Sequence, residues 1–457
     1  MIRPEDTAAE DTAVPGAGSP ERPGPDASRS GSPPAAPPRS DILVRPSGPL
    51  RGEVEIGGAK NSILKLLAAT TLAEGHFTLR RVPRISDVDT MIELLESFGC
   101  RLRYGGDDVL HIDVPQQLSP HASYDLVSRM RASIAVLGPL LARCGEAMVA
   151  LPGGDDFGSR PIDMHLAALE RLGVDIDLSH GYVHARASTL KGEEVSLAWP
   201  SVGATENIMM VATAAEGRTV IDNAAREPEI ADLAAFLNRM GAEVLGAGSP
   251  TITINGGGPL RSVDHTPVSD RIETAVYLAA VGIAGGEITL RGAQPGHLRM
   301  LCDKLGEMNL RTSTIRGGLW AMSPHRLRAT EIVTLPYPGV ATDYQPLLVA
   351  MLSLADGVGL VTENVFANRF RYVGELIRMG ADIRVEGRCA IVRGKERLSG
   401  APVRATDIRA GAALVIAGLG AEGETVVRDT RHIRRGHEDL VGKLRSLGAD
   451  ISWVPAG

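Results

Sequence analysis

Short polar clusters begin several otherwise apolar segments, and they contain the residue types that proton transfer on a bound anion requires. Arg and Lys side chains hold anions, while Asp and Glu side chains accept or deliver protons. The clusters read IGGAKNS (56–62), SRMRASIAVLG (128–138), LPGGDDFGSRPIDMH (151–165), SVGATEN (201–207), SDRIETAVY (269–277), PGVATDYQP (338–346), ATDIRAGAAL (405–414) and IRRGHEDL (433–440). Each cluster alone is equally typical of a helix cap or a surface ion pair, so only their combination predicts a site.

Three of these clusters have a more specific interpretation. In IGGAKNS a glycine turn precedes a helix, which predicts backbone N–H groups free to bind an anion beside Lys60, although a solvated lysine is the simpler alternative. Arg131 opens an apolar helix, where a structural salt bridge would also explain its charge. The segment 151–161 is glycine-rich and carries Asp155 and Arg160. It is typical of an active-site lid, or else of a plain turn.

The composition excludes several classes of protein. The chain has 48 basic and 55 acidic side chains and a net charge of −7, so it lacks the basic surplus that nucleic acids and anionic membranes attract. No apolar run is long enough to span a bilayer, and no hydrophobic signal core begins the chain. Four scattered cysteines and no ligand-spaced cluster argue against a disulfide scaffold or a metal site. We expect a cytoplasmic protein without metal or cofactor; the oligomeric state is not readable.

Residues 1–40 differ in composition from the rest of the chain. They contain nine of the 29 prolines, and Gly, Ser and Ala fill most of the remainder. Such a segment cannot bury enough apolar surface to offset its conformational entropy. We expect a disordered tail without a catalytic role.

From residue 41 onward, two helix–strand signatures alternate, each six times, with a period of roughly 70 residues. The first ends an amphipathic helix at Gly99, Gly173, Gly241, Asn309, Gly380 or Gly448. The second signature is a helix end followed by a strand, with its glycine at Gly75, Gly145, Gly217, Gly286, Gly357 or Gly423. Glycine and Asn tolerate the left-handed backbone of a helix C-cap. Six repeats in two groups of three predict two α/β lobes, with a break near 255–270 and a cleft between them for a ligand.

The ordered set of motifs resembles one family, the UDP-N-acetylglucosamine enolpyruvyl transferases. The motifs are GGAKNS, MRAS, PGGxxxGxRPIDxH, SVGATENIM, NAAREPEI, SDRIET, ATDxQ, FxNRF, ATDIRAGAAL and the RG at 435–436, and the resemblance covers about residues 41–455. It implies an inside-out α/β barrel of two lobes, each with three βαβαββ repeats. The implied boundaries are 60–268 for the lobe with the lid loop, and 41–59 with 269–457 for the second lobe.

The resemblance also implies a reaction and its residues. The family joins phosphoenolpyruvate to the 3-hydroxyl of the sugar nucleotide by addition and elimination, releasing phosphate, in the first committed step of peptidoglycan synthesis. Asp343 matches the base, and Lys60, Arg131, Arg160 and Arg435 match the residues that grip phosphoenolpyruvate. Asn61 and Asp407 match positions beside the sugar and the reacting centre. The nucleotide-sugar pocket is matched by Arg160, Pro161, Ile162, Asp163, Met164, His165, Ser201, Val202, Gly203 and Val365.

One departure from the family concerns the proton donor. Most members have cysteine in the lid loop where this chain has Asp155. A carboxylic acid replaces a thiol as donor if burial or a neighbouring acid raises its pKa, but it should not form the covalent adduct with fosfomycin. We therefore predict a fosfomycin-insensitive enzyme.

Other departures leave the acceptor open. Trp199 and Pro200 stand where some members have lysine, and FANRF and RRGHE replace FENRF and DRGYE. One alternative is a paralogue that acts on a uridine nucleotide such as UMP in nucleoside-antibiotic biosynthesis. A second is an inactive regulator that binds a nucleotide sugar.

Overall fold

A computed structural model of the chain describes residues 40–106, 108–153 and 162–457. The predicted tail therefore lies outside the described residues except for Ser40, which begins the first strand. Asp155, Arg160 and Pro161 of the predicted lid loop also lie outside them.

Six four-stranded sheets share a single topology, in which one parallel pair is followed by two antiparallel pairs. Three of them contain the following strands, in spatial order. The first sheet contains Asp264–His265, Gly75–Leu79, Leu110–Val114 and Arg101–Tyr104, and the second contains His121–Ala122, Glu146–Ala150, Tyr182–Arg186 and Asp175–Ser179. The third sheet contains Glu194–Ser196, Arg218–Asp222, Thr251–Asn255 and Glu243–Leu245.

The remaining three are Leu50–Glu55, Gly286–Arg291, Gly318–Ser323 and Arg311–Ile315; Ile332–Val333, Val358–Thr362, Cys389–Arg393 and Asp382–Glu386; and Pro402–Arg404, Thr425–Arg428, Ser40–Val44 and Ile451–Pro455. Leu398–Ser399 and Ala421–Glu422 form a separate parallel pair.

The α-helices of the described residues are α1 (Lys60–Thr70), α2 (Ser86–Ser97), α3 (Tyr124–Val127), α4 (Leu137–Cys144), α5 (Asp163–Arg171), α6 (Val202–Ala212), α7 (Pro228–Met240), α8 (Arg271–Ala284), α9 (Arg299–Glu307), α10 (Gln345–Leu354), α11 (Val373–Arg378), α12 (Ile408–Leu419), α13 (Arg431–Arg434) and α14 (Leu440–Ser446). Short 3-10 helices span Arg131–Val136, Pro295–His297, Thr342–Tyr344 and Arg369–Tyr372.

The predicted glycine caps are confirmed by the backbone. The eleven glycines of the two repeated signatures and Asn309 all have positive φ, between 69° and 122°. L-residues with a Cβ rarely adopt this conformation. Each such residue ends a helix or reverses the chain into a strand, which accounts for the six-fold repetition.

Buried hydrophobic residues form two separate cores. The first extends over residues 63–254, and the second combines residues 42–56 with 272–451. We call the two halves the first and second lobes; their exact boundaries remain a prediction. In the second lobe α8, α10 and α12 pack on one another and bury almost every side chain. Helices that are apolar all round belong inside a lobe, so the sheets lie around them.

The start of the chain completes sheets of the second lobe. Strand Ser40–Val44 lies between Thr425–Arg428 and Ile451–Pro455, and Leu50–Glu55 pairs in parallel with Gly286–Arg291. Conversely, Asp264–His265 returns to pair with Gly75–Leu79 of the first lobe. Two segments, near residues 57–59 and 267–270, therefore connect the lobes.

The two connections are hydrogen-bonded to each other. Ala59 N donates to Val268 O at 2.8 Å, and Asp270 N donates to Gly57 O at 3.0 Å. At Gly58 a Cβ would overlap the Arg81 carbonyl oxygen, so this position requires glycine. The pairing places the starts of α1 and α8, one from each lobe, side by side. Within the described ranges, none of the helices is long and apolar enough to cross a lipid bilayer.

Candidate active site

The predicted site residues lie at the starts of the buried helices. Lys60 begins α1, Arg131 begins the 3-10 turn before α4, and Ser201 precedes α6. In the second lobe, Asp343 lies in the 3-10 turn before α10, and Asp407 caps α12. Helix N-termini carry partial positive charge and favour anions. Residues scattered over 350 positions thus share one kind of location, where an anion is stabilised.

Asp87 joins two of the predicted anion-binding cations across the lobes. Its Oδ2 lies 2.8 Å from Lys60 Nζ, and its Oδ1 accepts a hydrogen bond from Arg435 Nε at 2.8 Å. Lys60 and Asp87 are both buried. Burial lowers the pKa of the Lys60 ammonium group, Asp87 opposes this, and the charges of Arg409 and Arg435 lower it further. An arriving anion would therefore find two cations that share the carboxylate of Asp87.

Asp343 and Asp407 are grouped by two arginines of the second lobe. Arg409 Nε donates to Asp343 Oδ1 at 2.8 Å. Arg369 lies 3.8 Å from Asp343 and 3.9 Å from Asp407, and it is 2% exposed. Burial acts to raise the pKa of Asp343, but Arg409 and Arg369 outweigh it and hold that pKa well below its usual range. Asp343 is thus an ionised carboxylate in this arrangement.

Asp407 has a structural role as well. Its Oδ1 accepts hydrogen bonds from the backbone N–H groups of Arg409 and Ala410, which caps α12. This is the helix-cap alternative that the sequence left open. The cap and a position near the reacting centre are compatible, because the same carboxylate lies between the start of α12 and Arg369.

Residues of the predicted nucleotide-sugar pocket in the first lobe come together. A Cβ on Gly203 would lie 3.1 Å from His165 Cε1, so the starts of α5 and α6 are adjacent. The His165 ring is buried, with Nδ1 2.9 Å from Asn207 Nδ2. Burial, followed by the charges of Arg131 and Lys65, lowers the pKa of His165 to about 4. Arg131 therefore lies close enough to His165 to affect its charge.

The other pocket residues occupy the expected elements. Ile162 is buried directly before α5, while Asp163 is exposed and Met164 half-buried in its first turn. Ser201 Oγ accepts a hydrogen bond from Ala204 N at 3.3 Å, confirming the predicted cap, and Val202 begins α6. Asn61 is half-buried in the first turn of α1.

Glu363 connects Val365 to the loop of Asp343. Its Oε2 accepts from Thr342 Oγ1 at 3.0 Å, and its Oε1 accepts from the backbone N–H groups of Val365 at 2.8 Å and Phe366 at 3.0 Å. The side chain is 1% exposed. A carboxylate is an acceptor only, and here it fixes two loops that carry predicted site residues.

One expectation is wrong. In the glycine turn before α1, the N–H groups expected to bind an anion are bonded within the protein at Gly57, Ala59 and Lys60. Gly57 N donates to Glu273 Oε2 at 2.8 Å, Lys60 N donates to Asp270 Oδ2 at 3.1 Å, and Ala59 N donates to Val268 O. The connection between the lobes brings these acceptors to the turn, so the turn serves the crossing of the two chains, while the Lys60 side chain contacts Asp87.

Arg271 forms a further link between the lobes. Its Nε donates to Glu229 Oε1 of the first lobe at 3.0 Å, and its Nη1 donates to the Tyr344 hydroxyl of the second lobe at 3.1 Å. Arg271 and Glu229 are buried. Tyr344 directly follows Asp343 in the chain. The link therefore holds the turn that contains Asp343 against α7 of the opposite lobe.

Four residues of this site have no role assigned from the sequence: Asp87, Glu363, Arg369 and Arg409. Arg369 and Arg409 were present in the motifs FxNRF and ATDIRAGAAL, and a buried arginine signals a buried acid. Asp87 and Glu363 have no local signal, because their function depends on partners distant in the chain.

Comparisons with known proteins agree with this geometry. Residues 44–444 match the family model "EPSP synthase (3-phosphoshikimate 1-carboxyvinyltransferase)". The chain is 49% identical over 413 residues to the UDP-N-acetylglucosamine 1-carboxyvinyltransferase of Mycobacterium bovis, covering 90% of this chain and 99% of that one. It is 48% identical over 418 residues to the enzyme of that name from Nocardia farcinica, covering 90% and 98%.

Solved structures show the same fold. The enolpyruvyl transferase NikO from Streptomyces tendae aligns with a TM-score of 0.82 and 27% identity, covering 92% of this chain and all of that one. EPSP synthase from Acinetobacter baumannii aligns with a TM-score of 0.70 and 18% identity, covering 91% and 100%, and indicates the fold alone. The predicted inside-out α/β barrel is confirmed, and the chain belongs to the UDP-N-acetylglucosamine 1-carboxyvinyltransferase family of enolpyruvyl transferases.

Proposed function

We propose that this chain transfers the enolpyruvyl group of phosphoenolpyruvate to the 3-hydroxyl of UDP-N-acetylglucosamine and releases phosphate. The observation that carries the proposal is 49% identity over 90% of the chain to carboxyvinyltransferases named for that sugar nucleotide. Such similarity favours this reaction over a UMP-specific paralogue or an inactive regulator. The reaction begins peptidoglycan synthesis, and the free cysteines fit a cytoplasmic location.

Phosphoenolpyruvate is assigned to the cations around Asp87. Lys60 and Arg435 contact that carboxylate from opposite lobes. Arg131 begins the 3-10 turn before α4 on the first lobe, and Arg160, outside the described residues, belongs to the lid loop in sequence; both are assigned to the same anion from the resemblance. Cations aimed into a largely buried site stabilise phosphate and carboxylate charge far more than exposed ones do.

Asp343 is assigned the role of base. Its charge is stabilised by Arg409 and Arg369, and a base with such a low pKa attracts a proton weakly. Arg409 also lies near Lys60, whose pKa it lowers. When the phosphorylated enol enters, its negative charge competes with Asp343 for Arg409. The pKa of Asp343 then rises toward the range in which it accepts the hydroxyl proton.

The addition step requires two proton transfers in opposite directions. Asp343 takes the proton of the 3-hydroxyl as the hydroxyl oxygen of the sugar bonds to C2 of phosphoenolpyruvate. An acid, assigned to Asp155, protonates C3. In the elimination these transfers run in reverse. A C3 proton of the tetrahedral ketal returns to the Asp155 carboxylate as the C2–O bond to phosphate breaks, and the proton held by Asp343 leaves with the phosphate, so that the enol ether and phosphate remain. Asp407 and Asn61 are assigned positions beside the reacting centre and the sugar.

The nucleotide sugar is assigned to the starts of α5 and α6 and to the loop of Val365. Residues 162–165 and 201–203 lie on the first lobe, and Val365 lies on the second. Through Glu363, the position of Val365 is tied to Thr342 beside the base. This arrangement would align the acceptor hydroxyl with Asp343.

An acceptor panel tests the proposal. Phosphate release is measured with phosphoenolpyruvate and either UDP-N-acetylglucosamine or UMP. We expect release with the sugar nucleotide and at most background with UMP. Release only with UMP would assign the chain to the nucleoside-antibiotic paralogues, and release with neither would favour the regulator.

A further inference from the structure

His437 is a buried imidazole that the assigned roles above do not use. It follows Arg435 and Gly436 after α13 and is 7% exposed. Neither ring nitrogen makes a hydrogen bond of ordinary geometry within the described part of the chain, although the Ile408 carbonyl lies beside the ring. Buried polar groups without partners are costly and therefore uncommon. Their presence at a site calls for a ligand.

The groups around the ring are cations. Arg409 of α12, Lys60 of α1 and Lys443 of α14 all disfavour the charged imidazolium, and together with burial they lower the pKa of His437 to about 3. Among these groups the ring is therefore neutral and carries one N–H donor and one acceptor. Its surroundings repel further positive charge and attract an anion.

The carboxylates near these cations are already paired. Asp87 contacts Lys60, Asp343 contacts Arg409, and Glu273 contacts Lys443 at 2.5 Å. The adjacent Glu438 accepts a hydrogen bond from Arg84 N at 2.9 Å. Among the described residues, none of these carboxylates is therefore left for the imidazole N–H, and the Ile408 carbonyl beside the ring makes no hydrogen bond of ordinary geometry with it, so a well-placed acceptor is missing. A bound anion would supply it.

The backbone beside the ring packs against one of the proposed anion-binding cations. A Cβ on Gly436 would lie 3.7 Å from Lys60 Cδ and would overlap the Ile408 side chain. Gly436, between Arg435 and His437, thus packs directly on Lys60, and a larger residue there would push the two apart. His437 therefore neighbours Arg435 in the chain and lies near Lys60, two of the proposed phosphoenolpyruvate cations.

We propose that His437 is an additional phosphoenolpyruvate-binding residue, whose imidazole donates a hydrogen bond to an anionic oxygen of that substrate. The inference rests on the proposed function for the identity of the anion. Anion binding also brings negative charge to a ring now surrounded by cations, so it favours the donor and protonated forms of the imidazole.

The first test follows the ring in the unaltered protein. The chain has 11 histidines, so the imidazole ¹⁵N signals are assigned by their loss in His437→Gln. Phosphoenolpyruvate is added with UDP, which lacks the acceptor hydroxyl, and inorganic phosphate serves as a second probe. We expect the His437 signals to shift with either anion and not with UDP alone. Unchanged signals would overturn the inference.

The second test separates donor from shape. Phe fills the space of the imidazole without a donor, and Gln restores an N–H. We expect His437→Phe to raise KM for phosphoenolpyruvate about tenfold or more, as for loss of a hydrogen bond to a charged group. KM for the sugar nucleotide should change less than twofold, and His437→Gln should recover part of the loss. A KM for phosphoenolpyruvate within twofold of the parent in His437→Phe would refute the role.

His432→Phe is the matched control, since His432 lies on α13 and its nearby acid is Asp429, at 3.9 Å. It should leave both KM values unchanged. The NMR test needs no acceptor, so the two proposals fail separately. A responding ring in a protein that releases no phosphate would refute the function alone, and a silent ring in an active enzyme would refute only the role of His437.

Discussion

Arg409 donates a hydrogen bond from Nε to Asp343 Oδ1 at 2.8 Å, and this pair couples the proposed base to the anion site. Arg409 is buried at the start of α12, while Asp343 lies in the turn before α10. The charge of Arg409 also lowers the pKa of Lys60 and of His437. An anion bound near these residues should therefore weaken the hold of Arg409 on Asp343. If the proposed roles hold, binding of phosphoenolpyruvate should thereby prepare Asp343 for the acceptor hydroxyl.

Replacing Arg409 should release the pKa of Asp343. In Arg409→Gln the carboxylate loses its nearest cation, so its pKa rises and protonation inactivates it at higher pH than in the parent. We expect the acidic limb of the kcat/KM profile to move upward and kcat/KM at neutral pH to fall about 100-fold or more. Arg384→Gln, at an exposed ion pair with Glu386, is the control. An acidic limb that stays in place would contradict this role.

Glu363 should act on the acceptor more than on phosphoenolpyruvate. In the parent, three donors share the two carboxylate oxygens of Glu363. Glu363→Gln keeps the shape of the side chain but leaves one oxygen to accept these hydrogen bonds. We expect KM for the sugar nucleotide to rise about tenfold, because the loop of Val365 loses its support. Thr342→Val removes just one of the three hydrogen bonds and should have a smaller effect. Equal KM values in the parent and both variants would show that the loop is held by other contacts.

Asp155 should determine the response to fosfomycin. This residue lies outside the described residues, so the expectation comes from sequence. The parent enzyme should keep its activity during incubation with the drug, since a carboxylate does not form the thiol adduct. Asp155→Cys should stay active and lose activity progressively with time. Time-dependent inactivation of the parent, or an inactive Asp155→Cys, would mean that this loop does not work as its relatives' loops do.

Glu206 should make stability depend on pH. It is buried in α6 and paired with Lys65 at 2.7 Å, yet burial outweighs Lys65 and raises its pKa to about 7. A raised carboxyl pKa contributes stability that is complete below the unfolded pKa of 4.5 and is lost as pH rises through about 7.

Glu206→Gln should remove that dependence. The difference in free energy of unfolding, parent minus variant, should fall by about 3 kcal/mol between those pH values. Denaturant melts at several pH values measure it, with exposed Glu216→Gln as control. Parallel curves for parent and Glu206→Gln would exclude Glu206 as the titrating group.

The sequence by itself determined the repeated units of this protein. Six glycine-capped helix–strand signatures predicted two α/β lobes of three units each, and the backbone confirms a positive φ at every predicted cap, including Asn309. The Ser201 cap was also predicted. Such features are encoded within a few consecutive residues, because caps, turns and helical periodicity depend on neighbours in the chain.

Only the tertiary structure decided which charges meet. Asp87 and Arg435 are 348 positions apart. No local pattern in the sequence marks Asp87 as the residue that contacts both Lys60 and Arg435. The sequence predicts an anion site in the glycine turn before α1, but Glu273 and Asp270 of the other lobe accept the hydrogen bonds of the Gly57 and Lys60 N–H groups. Ion pairs act through space, over distances that chain order does not set. The electrostatics of the cleft therefore follow from how the two lobes pack.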